Sequence, residues 1–115
     1  MDINRIQPQE WNSRAVVHGN LVFCSGIVAD DKSLSMKGQT EQVLRKIDAV
    51  LAAAGTDKSR ILAATVYMAD AGLKNEMNEA WMAWVDKTNL PARCAVGAVL
   101  TLGTRVEIMV TAAKG

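Results

Sequence analysis

Val43, Leu44, Ile47, Val50, Leu51 and Ala54 recur at i, i+1, i+4, i+7, i+8 and i+11. That spacing puts them all on one stripe of an amphipathic helix, and Gly55 follows as its stop. A second stripe, Leu73, Met77, Trp81 and Trp84, predicts another helix over 71–86, with Asp70 as N-cap. Each helix has one apolar side to bury, so each needs one partner surface. The rest of the chain supplies it as strands. "RAVVH" at 14–18, the turn signal "GN" and "LVFCSGIVA" at 21–29 read as a hairpin. "ILAATVYMA" at 61–69 is a continuous apolar run that suits a buried strand, and two more strands are expected near 92–99 and 106–113. "DDKSLSMKG" at 30–38 reads as a polar, flexible connection. The order β-β-α-β-α-β-β predicts an α/β (α+β) fold, one mixed sheet with both helices on one face.

At 115 residues the chain reads as a single domain, 1–115. Net charge is +1 and no Lys/Arg run stands out, so no nucleic-acid partner is expected. "MDINRIQPQEW" has neither a basic start nor a following apolar run, and no stretch approaches the ~20 apolar residues of a membrane span. Cys24 and Cys94 are widely separated and form no framework. The expectation is a cytoplasmic protein with reduced thiols and no membrane partner.

Two helices on one face leave the other face of the sheet uncovered, so it must be polar or covered by something else. Strand parity bears on which. Along 106–113, Val106, Ile108 and Val110 share one side and Glu107, Met109 and Thr111 the other. Along the preceding strand, Arg93, Ala95, Gly97 and Val99 alternate with Cys94, Val96, Ala98 and Leu100. The second set is the better core set. That choice assigns Arg93 to the uncovered face together with Glu107 and Met109. Such a face is too apolar for solvent and too charged for a core, which suits a subunit interface holding a polar pocket.

These segments resemble a known family. "PARCAVGAVL…GTRVEIMVTAA" is similar to the C-terminal signature of the RidA/YjgF family of reactive-intermediate deaminases. "VVHGNLVFCSGIVA" resembles the family's N-terminal hairpin, "GQTEQVLRKIDAVLAAAGTDKSRILAATVYMAD" its first helix and following strand, and "MNEAWMAWV" its second helix. The resemblance implies a chorismate-mutase-like fold that forms a homotrimer, with the sheets lining a central barrel and ligand clefts between subunits. It implies hydrolysis of 2-imino or enamine acids to 2-oxo acids and ammonia, with no cofactor and no metal.

On the same resemblance, Arg93 matches the arginine that binds the substrate carboxylate and Glu107 the glutamate associated with the attacking water. Asn78 matches an asparagine of the second helix, and Ser25 and Gly26 fall in the hairpin segment that borders the pocket. Cys94 and Ala95 follow the arginine, and Asn12 falls near the position of an N-terminal pocket tyrosine. The chain departs from the pattern at three of these places. Ala95 stands where many members have cysteine, Trp11-Asn12 where many have the tyrosine, and Ile27 where glutamine often follows Ser-Gly.

An arginine fork suits a carboxylate because it makes two parallel hydrogen bonds and stays charged. A nearby glutamate suits proton transfer to and from water. For Arg93 and Glu107 the competing reading is an interface ion pair. The competing function is a non-catalytic trimeric module that binds small carboxylates or 2-oxo acids. Ribonuclease activity, attributed to some family members, ranks third, because the chain has no basic stripe and one histidine, His18. Met77, Trp81 and Trp84 read as core.

Overall fold

The structure is a computed structural model that describes residues 2–115. Its strands are β1 (Ile3–Pro8), β2 (Ser13–His18), β3 (Leu21–Cys24), β4 (Ile27–Val28), β5 (Ile61–Met68), β6 (Ala92–Gly97) and β7 (Val106–Ala113). The helices are α1 (Met36–Ala53) and α2 (Lys74–Trp84), each preceded in its connection by turn or 3-10 structure. All strands join one sheet in the order β1-β2-β3-β7-β5-β6, with β4 also pairing β7. The β5/β6 pair is parallel and the other pairings are antiparallel, so the sheet is mixed.

Helix α1 begins earlier than its apolar stripe suggested. Ser35 caps it, its hydroxyl accepting from the Gly38 N–H at 3.1 Å, which satisfies one of the free donors of the first turn. Met36, Gln39 and Thr40 are buried in that added turn, so part of the segment expected to be flexible is packed helix. Gly55 lies just beyond the helix at φ +83°, a left-handed position that glycine takes without strain. Asp70 caps the short 3-10 turn Ala71–Leu73 that leads into α2, accepting from the Gly72 N–H at 2.8 Å.

Strand β1 was not expected from the sequence. "INRIQP" has no apolar alternation and carries Pro8, and nearly all of it is exposed. It is an edge strand held by its backbone ladder to β2, a position that tolerates proline.

The core lies between the sheet and the two helices. Val17, Val22, Ile27, Val66, Ile108 and Val110 meet Val43, Leu44, Ile47, Leu51, Met77 and Trp81, all buried. Each such aliphatic side chain contributes roughly 1.5–3 kcal/mol through the area it removes from water. The opposite face carries Leu21, Phe23, Val96 and Met109, all exposed.

Parity is obeyed on β7 and β6, but the assignment of faces on β6 is reversed. Arg93 and Ala95 face the helices and are half-buried, whereas Cys94 and Val96 face the uncovered side and are exposed. The pairing explains it. Arg93 is in register with Ala64, which is in register with Val110, and both partners are buried under the helices. Strand β6 is an edge strand, and at this edge the larger apolar residues decorate the uncovered face.

Candidate functional site

Arg93 lies at the edge where β6 passes under α2. The short "NLP" segment ends the α2 region and Pro91 directs the chain into the strand, so the first turn of β6 is laid against the side of the helix. Leu73, Met77, Trp81 and Trp84 form the inward stripe of α2, and its edge meets the guanidinium. Arg93 Nη1 donates to Met77 Sδ at 3.7 Å, and Arg93 Cζ stands 5.1 Å from the centroid of the Trp81 ring. These contacts are a weak hydrogen bond and a cation–π interaction.

Asn78, Trp81, Met82, Leu90, Pro91 and Arg93 line a cleft of about 340 Å³. The structure therefore brings together two of the residues singled out from the sequence, Arg93 and Asn78. Trp81, Met82 and Leu90 are also cleft residues: sequence reasoning placed Trp81 in the core and Leu90 in a connection, and gave Met82 no part. Asn78 and Met82 are one helical turn apart, and that i, i+4 spacing beside the core stripe was the available signal.

Among the described residues no carboxylate pairs with Arg93, and the one ion pair is Lys46 with Asp30, at 2.9 Å. Burial alone lowers the pKa of the Arg93 guanidinium, which nevertheless stays charged. A half-buried arginine with no counter-ion, opening into a cleft, is equipped to take an anion.

Glu107 is elsewhere. It lies on β7, in register with Val28 and Tyr67 on its two sides, and faces the uncovered side of the sheet. Strand β5 separates β7 from β6, and Arg93 emerges on the opposite face. The expectation that both occupy one face of one chain is therefore corrected, and an ion pair between them on adjacent strands is excluded.

The residues gathered around Glu107 are those of the β3–β4 break. A Cβ on Gly26 would stand 2.2 Å from Glu107 Oε2, so the carboxylate rests against the bare glycine backbone. Ser25 fixes the break. Its N–H donates to the Arg14 carbonyl at 2.9 Å, and its hydroxyl donates to the Ser13 carbonyl. Ser25 and Gly26 thus belong with Glu107, and not with Arg93 and Asn78. Asn12 lies at the exposed turn between β1 and β2, its carbonyl accepting from the Gln9 N–H at 2.7 Å. Cys94 is exposed on the uncovered face in register with Thr65 of β5, which separates it from Met109 of β7, and Ala95 is half-buried on the same side as Arg93. Cys24 is buried, and burial pushes its thiol up to about 11, which keeps it protonated and unreactive near neutral pH.

Residues 2–114 match the profile of the family described as endoribonuclease L-PSP, the YjgF/RidA family. The chain belongs to this family. A RutC family protein of Haemophilus ducreyi is 43% identical over 96% of each chain. A human protein named 2-iminobutanoate/2-iminopropanoate deaminase is 32% identical, over 90% of this chain and 80% of its own. Among solved structures, a YjgF family member from Neisseria meningitidis superposes with a TM-score of 0.97 at 40% identity, covering 100% of this chain and 97% of that one. The more similar of these YjgF/RidA relatives carry only family names, and the deaminase names belong to relatives at 32–33% identity. No helix among the described residues is long and apolar enough to cross a membrane.

Proposed function

We propose that this chain is a hydrolytic deaminase of 2-imino and enamine acids, working as a homotrimer whose sites lie between subunits. The observation that carries it is Arg93: half-buried, without a counter-ion, and open to a cleft that also holds Asn78. A guanidinium in that state suits the carboxylate common to 2-imino acids, and the deaminase names of the human and Arabidopsis thaliana relatives supply the reaction.

The split of Arg93 and Glu107 between two faces supports a composite site. Arg93 and Asn78 are offered by one copy at its β6 edge. Glu107, cradled by Gly26, is offered by another through its uncovered face. Phe23, Val96 and Met109 on that face supply the apolar surface that association removes from water.

In such a site Arg93 fixes the carboxylate and Asn78 hydrogen-bonds the substrate beside it, so that the imine carbon has one position. Water attacks that carbon. The substrate reacts as its iminium, so the C=N π electrons move to a nitrogen that already carries two hydrogens and becomes a neutral amine, and Glu107 takes the proton that the water gives up. The resulting carbinolamine is then protonated on nitrogen by Glu107. The C–N bond breaks as the hydroxyl oxygen forms the new C=O, and the hydroxyl proton leaves with the ammonia as ammonium. One water is consumed for each 2-oxo acid released. This chain has no thiol two residues after the arginine, since Ala95 stands there, so none is given a part.

The test is deamination of imines generated in situ by an amino-acid oxidase, with semicarbazide trapping what survives. Wild type accelerates imine loss and Arg93→Ala does not, while both elute as the same assembly. Binding of pyruvate without any acceleration, across imines with several side chains, turns the reading to a carboxylate-binding module of the same architecture. Full activity in Arg93→Ala sinks the role given to that residue.

A further inference from the structure

A cation held half-buried next to a binding cleft needs compensation, and the usual source is an acidic side chain. A carboxylate on Arg93 would occupy the fork edge that an incoming carboxylate must use. The protein compensates differently. The guanidinium carbon stands 5.1 Å from the Trp81 ring centroid, and Nη1 points at Met77 Sδ at 3.7 Å. Both partners are nearly inaccessible, Met77 at 0% and Trp81 at 4% exposure, so the surface under the arginine is fixed by core packing.

Trp81 is itself held from behind. The Trp84 ring lies 5.5 Å away at 56°, Trp84 Nε1 donates to Asp48 on α1 at 2.9 Å, and Lys58 Nζ stands 5.4 Å over the Trp84 ring while donating to the Trp84 carbonyl at 2.7 Å. Side chains of α1, α2 and the segment before β5 thus steady the ring on which Arg93 rests.

From this we infer that Trp81 is a positioning residue for carboxylate recognition. Its π face orients the Arg93 guanidinium and partly compensates its charge, leaving the hydrogen-bonding edge of the fork open to the ligand. This rests on the reading of Arg93 as a carboxylate binder but not on turnover, because it concerns binding alone. It assigns to Trp81 a part that aliphatic bulk cannot play. An aromatic ring keeps a negative face toward the cation, and a leucine of sufficient volume does not.

The experiment is calorimetric titration of the assembled protein with pyruvate, the simplest 2-oxo acid, in wild type, Trp81→Phe, Trp81→Leu and Trp84→Leu. Melting temperature and oligomeric state are recorded for each. Trp81→Leu is expected to weaken pyruvate binding about three- to tenfold, the range a partly desolvated cation–π contact supplies. Trp81→Phe should stay within about threefold of wild type, and Trp84→Leu, which loosens the support of Trp81 but leaves a ring against Arg93, should weaken binding clearly less than Trp81→Leu does. Where imine turnover is measurable, Trp81→Leu should raise KM by the same factor with little change in kcat, because the contact acts in ground and transition state alike.

Unchanged binding in a folded Trp81→Leu assembly overturns the inference. So does equal weakening in Trp84→Leu, which would make the effect one of helix packing. If Trp81→Leu fails to assemble, Trp81→Phe against Trp81→Met decides, and equal affinities there overturn it. Wild type that binds no pyruvate sinks this inference and the carboxylate reading together. Wild type that binds pyruvate but turns over no imine sinks the deaminase alone.

Discussion

Gly26 leaves room for a carboxylate that a single added side chain would displace. Glu107 lies so close to its backbone that an ideal Cβ would be 2.2 Å from Oε2 and 3.1 Å from the carboxyl carbon. Those atoms end a flexible side chain, so Gly26→Ala can be relieved by swinging the carboxylate away without moving the sheet. The expected result is a fold and assembly close to wild type, with a melting temperature within a few degrees. Imine deamination should fall by about ten- to a hundredfold, the scale of loss when a reacting group is displaced by about 1 Å. Thermal melts and kcat/KM on one imine check both halves. An active Gly26→Ala would mean that the position of Glu107 is not critical. Ser25 has the complementary task, since its hydroxyl and N–H both bond to β2 and hold the break that presents Gly26.

At the scale of elements, one glutamine ties together segments that are distant in sequence. Gln39 is fully buried on α1. Its Nε2 donates to the carbonyls of Lys32, Leu34 and Gly103, and its Oε1 accepts from the Arg105 N–H at 2.9 Å. It therefore anchors the loop between β6 and β7 two residues before Glu107. Gln39→Met keeps the volume and strands the Arg105 N–H and several carbonyls in the interior. The expected cost is on the order of 3 kcal/mol, from a few unmet buried hydrogen bonds. It would be read as a lower denaturation midpoint at unchanged m-value. A cost under about 1 kcal/mol would mean that water replaces the amide there.

Gln39 also marks what the sequence made legible. It stands four residues before Val43, in line with the stripe that identified α1, but that apolar stripe runs from Val43 onward and leaves it out. The two helices and β7 were legible because their periodicity comes from burying one face, the hairpin also from its Gly-Asn turn, and β5 from its continuous apolar run. Strand β1 was not, because an exposed edge strand is held by backbone bonds that leave no apolar pattern. On β6, alternation correctly separated Arg93 and Ala95 from Cys94 and Val96, but it could not say which set lay under the helices. Size and hydrophobicity favour the larger apolar set as core, and the structure exposes it. A face used for association is as apolar as a core edge, so hydrophobicity does not separate the two. Arg93, Asn78 and Glu107 were singled out by the family resemblance. Their distribution over two faces was not, because it depends on which side of β6 meets α2.

That distribution has a consequence for the whole molecule. If Arg93 of one copy works with Glu107 of another, the two residues need not be intact in the same polypeptide. Arg93→Ala and Glu107→Gln should each be inactive alone. Unfolded together and refolded as a mixture, they should regain activity, because some interfaces then combine an intact Arg93 from the Glu107→Gln chain with an intact Glu107 from the Arg93→Ala chain. With equal amounts and random assembly into a closed ring, roughly a quarter of the sites are intact, and activity should return to about that fraction of wild type. A site built within one chain gives no recovery at any ratio. The same experiment depends on association through the uncovered face, where Met109 is 46% and Phe23 42% exposed. Introducing Met109→Lys into both partners should lower the mass measured by light scattering to that of smaller species and abolish the recovered activity with it. Recovery that survives dissociation would separate the site from the assembly, whereas joint loss ties the apolar face of the sheet to the chemistry at its edge.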